Sequence, residues 1–544
     1  MGILNYLGLS SNKYVEKEVS VEKEVSRYPR AYSSDWSHIG SYVISYDGEK
    51  NTGELGRPVK YVLDYNGLRA RSWQSYLDNE VTQKVIRRYV NWVIGQGLKI
   101  QSEPLVSVLE SNSINIDPSV FSKSIEDSFK LWGKTSRVDY SGNENFSKIA
   151  STVYKNSLVG GDCLVILRYK NSKITVQNID GSLVQTPSLG NYINKAIARG
   201  NEIKNGVEVN SKGEHIAFYV KDKNNGYKRI KARIGSNNTE VAFLVYGLKY
   251  RIGETRGIPL ISTVLETLQK LDRYKEATVG AAEERAKIPF FITHNEISTG
   301  SNPLIQNAAK AFDVDRGDNI ATDVNGKQLA DNIAVSTDKS VFNLEKGSDI
   351  KSMDTKSDIN FADFYKPMVD TICSTIGIPP EVALSKYDSN FSASRAALKD
   401  WEHTLEVDRS DFSFQFYQKV FSFWLDVSVL DNKIQAPGYI QALKQDDYMV
   451  LESYRNARFI GTSVPHIDPV KEVAAERLKL GDTGKSIPLT TAEQATENLN
   501  TGDYNSNLIK YSEELKNSKD SGVIVEDQVN NNNNNNNTKQ SDSE

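Results

Sequence analysis

Two stretches patterned for helix bracket a long interruption, and this layout limits the folds open to the chain. From Pro259 to Lys287, Ile261, Val264, Leu265, Leu268 and Leu271 recur at helical spacing as one apolar stripe. Pro259 suits a first helical turn and Pro289 closes the run. From Phe361 to Ile376, Phe361, Phe364, Tyr365, Met368, Val369 and Ile372 fall on one helical face, and Gly377 with Pro379 and Pro380 terminates it. Between them, Phe290 to Ile350 has a strand-and-loop character, rich in Asn, Asp and Gly. A third and longest helical pattern runs from about Ser394 to Val429, with Ala397, Trp401, Leu405, Phe412, Phe416, Val420 and Trp424 at near-fourfold spacing. Two helices around a β excursion, followed by a very long helix, do not suit one compact enzyme core. They fit an elongated α+β subunit whose apolar helix faces are completed by copies of itself.

The remaining chain fills in this plan. A length of 544 residues exceeds one ordinary core and implies two to four substructures. Arg69 to Gly97 reads as a helix followed by a turn, with Val81, Val85, Ile86, Tyr89, Val90 and Val93 at helical spacing and Gly95 and Gly97 at its end. Ser157 to Phe243 reads as strand-rich, through runs such as Leu164 to Leu167, Ile216 to Val220 and Val241 to Val245. Further helices are predicted over Ala442 to Leu480. Both ends are polar. The string VEKEVS occurs at Val15 to Ser20 and again at Val21 to Ser26, and reads as a short helix or strand of alternating charge or, on composition, as a solvated and partly mobile arm. From Ser512 the chain is charged and polar and closes with Asn530 to Asn537 and then Thr538 to Glu544. It carries too little apolar surface to offset chain entropy, so disorder is predicted.

Several chemistries lack their residues. The five histidines, His38, His215, His294, His403 and His466, lie far apart, and none has the spacing of a metal pair. Cys163 and Cys373 are too few for a disulfide framework or a zinc cluster and read as buried thiols. Gly481 to Ser486 resembles a phosphate-binding loop, but its first glycine comes two residues too late and a helix precedes it. Glu283 and Glu284 are adjacent, so on a helix they point about 100° apart and cannot share one metal or proton. No G-x-S-x-G elbow is present. No catalytic residue, cofactor or metal is therefore expected. No apolar run approaches the roughly 18–20 residues that cross a bilayer, and the beginning matches neither a secretory signal nor, with Tyr6 at the sixth position, a myristoylation site. A cytosolic site of synthesis is expected. The net charge of −4 is unlike that of proteins that grip DNA through many phosphate contacts. A chain of this charge that handles DNA would let it slide.

Four separated segments resemble the lambda-type portal proteins of tailed bacteriophages. The first is Leu68 to Ser72 and on through Asn79, with Val93 to Leu98 ending it, similar to the family's Arg-rich helix and V-x-G-x-G turn. The second is Ile203 to Val209 with Gly213 to Tyr219. The third is Arg251, Gly253, Glu254 and Arg256 to Pro259, running into Leu271 to Tyr274, with Glu254 where the family usually has Gln. The fourth comprises Leu344 to Gly347, Gly377 to Glu381 and Asp388 to Ala396. Ile467 to Glu472 matches a later family element, although Val464 to His466 stands where a tryptophan is often found. The elements occur in order across Leu68 to Glu476, and the VEKEVS repeat and the polyasparagine tail lie outside them.

The resemblance implies a dodecameric ring at one capsid vertex, a head–tail connector through which double-stranded DNA is packaged and ejected. Its partners would be further copies of the chain, DNA held weakly and without sequence preference, the large subunit of the terminase, a head–tail adaptor, and the major capsid and scaffold proteins, with no membrane. It implies a place in the virion, after assembly in the host cytoplasm. The parts would be a polar arm (1–40), an α+β wing (41–256), stem helix 1 (257–287), a small α/β clip (288–358), stem helix 2 (359–376), a tunnel loop (377–393), a long wing helix (394–436), a helical crown (437–511) and a disordered tail (512–544). The residues facing DNA would be Lys386, Tyr387, Asp388, Ser389 and Asn390 of the tunnel loop, and Glu276, Glu283 and Glu284 would line the channel. Two other readings compete: a DNA-processing enzyme (a nuclease or packaging ATPase), which needs clustered acidic ligands or a true phosphate loop, and a head–tail adaptor or scaffold without a channel, which needs no paired long helices.

Overall fold

The structure, a computed structural model, describes residues 15–17, 43–44, 50–51, 63–188, 190–222, 226–235, 238–287, 291–294, 348–351, 361–386, 391–461, 469–481, 488–499 and 504–521. The chain divides into two compact units, Met1–Leu268 with Val369–Glu544, and Gln269–Met368.

In the first unit, β1 (Val15–Lys17) adds to an antiparallel sheet, so three residues of the first VEKEVS copy follow the strand reading, and the rest of the repeat lies outside the described residues. Helices α1 (Tyr65–Asp78) and α2 (Glu80–Val93) replace the single helix expected here. The break is Asn79, whose side chain accepts from the backbone N–H groups of Val81 and Thr82 and so caps α2. After β2 (Lys99–Ser102) come α3 (Pro118–Lys134) and α4 (Phe146–Gly160), capped by Asp117 and Asn145. α4 occupies the start of the stretch expected to be strands, and α5 (Gly190–Ala198) interrupts it further on.

The strands are β3 (Asp162–Lys170), β4 (Lys173–Asp180), β5 (Glu202–Lys204), β6 (Val207–Val209), β7 (His215–Lys221), β8 (Tyr227–Lys231) and β9 (Ala242–Tyr246). They form two antiparallel sheets, ordered β9-β3-β4 and β1-β8-β7-β6-β5. One core cluster joins them: Leu164, Ile166 and Leu244 from the smaller sheet meet Val207, Phe218 and Ile230 from the larger. Cys163, Val165 and Leu167, on the other face of β3, are just as buried, and α4 packs against that strand. Burial on both faces explains why β3 is apolar without alternation.

The long helical pattern expected from Ser394 begins earlier, as α9 (Phe391–Phe412), passes through a π segment at Ser413–Tyr417 and continues as α10 (Gln418–Leu430). Apolar residues four apart overshoot a 3.6-residue turn by about 40° at each step. The π segment has more residues per turn and returns Phe412, Phe416, Val420 and Trp424 to the core, where all four are buried. There Phe129 of α3 and Phe146 of α4 pack against Phe416, Phe421 and Trp424 at ring-centroid distances of 5.1–5.7 Å. The helical region after it contains α11 (Tyr439–Gln445), α12 (Tyr448–Arg455) and α13 (Pro469–Leu480), and also an unexpected strand, β10 (Ala457–Ile460), paired with β2. α14 (Ala492–Asn498) and α15 (Tyr504–Asp520) follow, so the expected disorder from 512 is corrected to helix as far as Asp520. The polyasparagine tract lies outside the described residues.

Among its described residues the second unit contains a helix, a strand pair and a helix. A 3-10 turn at Leu260–Thr263 precedes α6 (Leu265–Lys287), and α7 spans Phe361–Ile376. Between them Phe291–His294 pairs antiparallel with Ser348–Lys351. Tyr274 stacks on Phe361 at 5.8 Å and packs against Phe364 at 4.4 Å. Most of the expected clip, 295–347, lies outside the described residues.

Two titratable groups in the first unit oppose each other. Burial, with Lys249, Lys419 and Arg233 nearby, pushes the half-buried His215 imidazole down to about 4. Burial and the neighbouring Asp411 push the Asp408 carboxyl up to about 6. As pH falls from 6.5 toward 4, the unfolded chain gains a proton on His215 that the folded chain refuses, and stability is lost. As pH rises from 3.8 toward 6, folded Asp408 keeps a proton that the unfolded chain has released, and stability is lost in the other direction. Relative to the unsubstituted chain, His215→Gln should therefore gain stability on acidification and Asp408→Asn should gain it as pH rises. Urea midpoints across this window measure both, and parallel curves for all three proteins would refute the assignment.

Candidate nucleic-acid interface

A buried charge cluster fixes the elements that carry any surface site. Asp162, at the first position of β3, is 1% exposed and faces two arginines that are as deeply buried, Arg69 and Arg256. Arg256 grips it from both ends of the carboxylate, Nε to Oδ2 at 2.7 Å and Nη2 to Oδ1 at 2.7 Å. Arg69 Nη2 donates to Oδ1 at 2.7 Å and the Gly257 N–H to Oδ2 at 3.0 Å. Burial alone would raise the Asp162 carboxyl. The charge and hydrogen bonds of Arg256, then the charge of Arg69, outweigh it and hold the group below the usual carboxylate range.

The second positive charge is spread over main-chain oxygens. Arg256 also donates to the carbonyls of Val184, Asn205 and Gly181, and Arg69 donates to that of Gly160. Three of the four segments that carry the family resemblance thus meet at one point: Arg69 from the first, Asn205 from the second and Arg256 from the third. Sequence reasoning does not single out Asp162. Its only local sign is an acidic residue opening the apolar run Cys163 to Leu167. Gly161 and Gly257 lie so close that a Cβ on Gly257 would stand 1.9 Å from the Gly161 oxygen. The second resemblance segment has a smaller lock of its own, where buried Glu208 accepts from Arg229 at 2.8 and 3.1 Å and from Tyr219 at 2.9 Å.

The fourth segment meets α2. Gly377, at φ +85°, ends the second stem-patterned helix, and the Ile378 N–H returns to the Cys373 carbonyl. Tyr89 donates to the Ile376 carbonyl at 2.9 Å. The segment expected to be all loop, 377–393, contains a short helix, α8 (Pro380–Leu384), because Pro380 is well placed for a first turn. Ser385 follows in a left-handed conformation and accepts a hydrogen bond from Arg88 of α2. Lys386 is exposed, and Tyr387, Asp388, Ser389 and Asn390 lie outside the described residues. In the second unit Glu276 and Glu283 are exposed and, seven residues apart, share one helix face, while the side chain of Glu284 is outside the described set. These acids and Lys386 belong to different units.

Among the described residues no group of three or more His, Cys, Asp or Glu could hold a metal ion, and no helix is long and apolar enough to cross a membrane. Cys163 and Cys373 are both buried, as expected, and burial pushes both thiols up. Of the phosphate-loop look-alike, Gly481 ends a helix and the rest lies outside the described residues.

The cluster orders the costs of mutation. Asp162→Asn leaves two guanidiniums buried without a counter-charge and should cost about 3–5 kcal/mol. Arg69→Met keeps the Arg256 pair intact and removes charge-assisted bonds worth about 1.5–3 kcal/mol. Urea midpoints at fixed protein concentration give the comparison, and an Arg69→Met chain that is the less stable of the two would overturn this account.

Known proteins resemble the chain to different degrees. A probable portal protein of Halomonas phage phiHAP-1 is 22% identical over 415 residues, which cover 72% of this chain and 72% of that protein. Two solved structures, the neck of an empty GTA particle computed with C6 symmetry and the neck of a native GTA particle computed with C12 symmetry, are 11% identical. Each match covers 82% of this chain and 95% of that one, with TM-scores of 0.43 and 0.41. The family model for phage portal proteins of the lambda family matches residues 59–409, a span that includes Arg69, Asp162, Asn205 and Arg256, and the chain belongs to that family.

Proposed function

We propose that the chain assembles as a closed ring of twelve copies at one capsid vertex and conducts double-stranded DNA during packaging and ejection, without catalysing a reaction. In this reading residues 41–256 and 394–436 form the wing, 257–287 and 359–376 the stem, 288–358 the clip and 437–511 the crown. The clip would dock the terminase and later a head–tail adaptor. The capsid and scaffold proteins would surround the ring, which enters the virion after assembly in the host cytoplasm. Lys386 to Asn390 would meet DNA, and Glu276, Glu283 and Glu284 would face the channel.

The observation that carries this reading is the separate unit Gln269–Met368. It is built as helix, strand pair and helix, with Tyr274 packed on Phe361 and Phe364. Paired helices closed by a β excursion supply a stalk, a part that a nuclease or a packaging ATPase does not need. Membership of the portal family supports it independently. Ring closure requires heterologous contacts, in which each copy offers one face to the next.

Electron microscopy of the purified chain, together with its native mass, tests the proposal. Rings of about twelve subunits with an open axial channel are expected. A stable monomer or dimer at every salt concentration would rule the reading out and turn attention to metal-dependent nuclease activity.

A further inference from the structure

Helix α2 has one face that the fold leaves open. Val81, Val85, Ile86, Tyr89 and Val93 are buried, whereas Gln83, Lys84, Arg87 and Asn91 are exposed on the opposite side, with Arg88 half-buried beside them and the exposed acid Glu80 in the first turn, four residues before Lys84. Lys84, Arg87 and Arg88 stand at i, i+3 and i+4, so their side chains are neighbours. Among the described residues no carboxylate pairs with any of the three. Like charges at this spacing repel by a few tenths of a kcal/mol, and Glu80, four residues before Lys84, offsets only part of the repulsion among the three cations. Nor is it part of a generally basic surface, since the whole chain carries a net charge of −4. A fourth cation stands close by. The Pro380–Leu384 helix packs on α2, Arg88 donates to Ser385, and the left-handed turn at Ser385 leads directly to exposed Lys386.

We infer that this face of α2 is a second phosphate-contacting surface for double-stranded DNA, with Lys84 and Arg87 as the contacts and Arg88 positioning the chain that carries Lys386. The inference rests on the conduit reading and adds a place to it: the helix, and not only the loop after it, meets the nucleic acid. Flexible cationic side chains on a helix surface reach phosphate oxygens as point charges and read no base edges, so the contact is independent of sequence. Two cations per copy give a contact that is weak, repeated around a ring and sensitive to salt. The competing occupant is an acidic face of a neighbouring copy.

The test uses the assembled full-length ring, a fluorescent mixed-sequence DNA duplex and a series of salt concentrations. The double variant Lys84→Gln with Arg87→Gln removes two side chains that make no described bond, so α2 should stay folded. Lys173→Gln with Lys212→Gln, on exposed positions in β4 and the β6–β7 turn, is the charge-matched control. The slope of log K against log salt should fall by about one for each phosphate that the α2 variant no longer neutralises, and should be unchanged in the control. An α2 variant that forms rings and binds with the unsubstituted slope overturns the inference and leaves the conduit reading standing. A variant with unchanged circular dichroism that no longer forms rings also overturns it, and assigns the face to contact between copies. An unsubstituted ring that binds no duplex even at low salt removes the inference and the conduit reading together.

Discussion

One carboxylate can neutralise only one of the two guanidiniums buried with it at Asp162, and the fold has to place the remaining positive charge somewhere. It does so with main-chain carbonyls of Gly160, Gly181, Val184 and Asn205, each oriented at an arginine N–H. The end of α4, the turn after β4, the β5–β6 hairpin and the segment after β9 must therefore arrive together. If one is out of place, a charge or a donor stays buried without a partner, at several kcal/mol each. A buried ion pair adds little stability beyond what apolar side chains of the same size would give. Its effect here is to penalise every other docking of these segments. The glycines follow from this crowding: a Cβ on Gly181 would stand 1.9 Å from Asp162 Oδ1.

The long helix is anchored on α2, which follows the Arg69-bearing α1 across the break at Asn79. Trp401 packs edge-on against Trp92 at 5.6 Å, and Arg409 donates to the carbonyls of Trp92 and Val93, at the end of α2 where carbonyls lack helical partners. Tyr89, one turn back, holds the Ile376 carbonyl. One helix thus bonds to two other segments and presents Lys84 and Arg87 to solvent, with Glu80 exposed in its first turn. The π segment belongs to the same arrangement. It lets Phe412 and Phe416 stack at 5.4 Å while Arg409 keeps its place over α2.

The parts of this structure that repeat are legible in the sequence. Ile261, Leu265, Leu268 and Leu271 are buried as their stripe requires, as are Val369 and Ile372 in the second stripe and Trp401 and Leu405 in the third. The near-fourfold spacing after Phe412 already holds the signal for a π segment, although apolar periodicity alone reads it as an ordinary helix. The same periodicity runs through Asn79 as if it were interior to one helix, yet an Asn followed by Glu80 is also a start signal. The Pro-rich stretch after Gly377 reads as loop because proline ends helices, whereas Pro380 opens one. The helix Tyr504–Asp520 escapes notice because it buries little: Leu508 and Tyr511 are exposed, and apolar periodicity cannot report a helix without an apolar face. The Asp162 cluster has no periodic signature, since its bonds cross intervals of 51 to 95 residues.

The same distinction decides which cations could meet a polyanion. The resemblance draws attention to Arg69 and Arg256, and both are occupied inside the fold by Asp162 and carbonyl oxygens, where no phosphate reaches them. Arg87 attracts none, yet it stands exposed on α2, and among the described residues no carboxylate pairs with it. Arginine is equally suited to both tasks: its fork satisfies several acceptors in a buried site, and its permanent charge attracts phosphate at a surface. A motif therefore marks an arginine without saying which task it performs. The helix face decides it. Beyond roughly 10 Å salt screens the charges of an exposed surface, so the overall −4 hardly reaches DNA at contact distance. What DNA would meet is the local face, and in the first unit the cationic face next to Lys386 belongs to the helix that is held by the Ile376 carbonyl through Tyr89 and by the long helix through Trp92 and Val93.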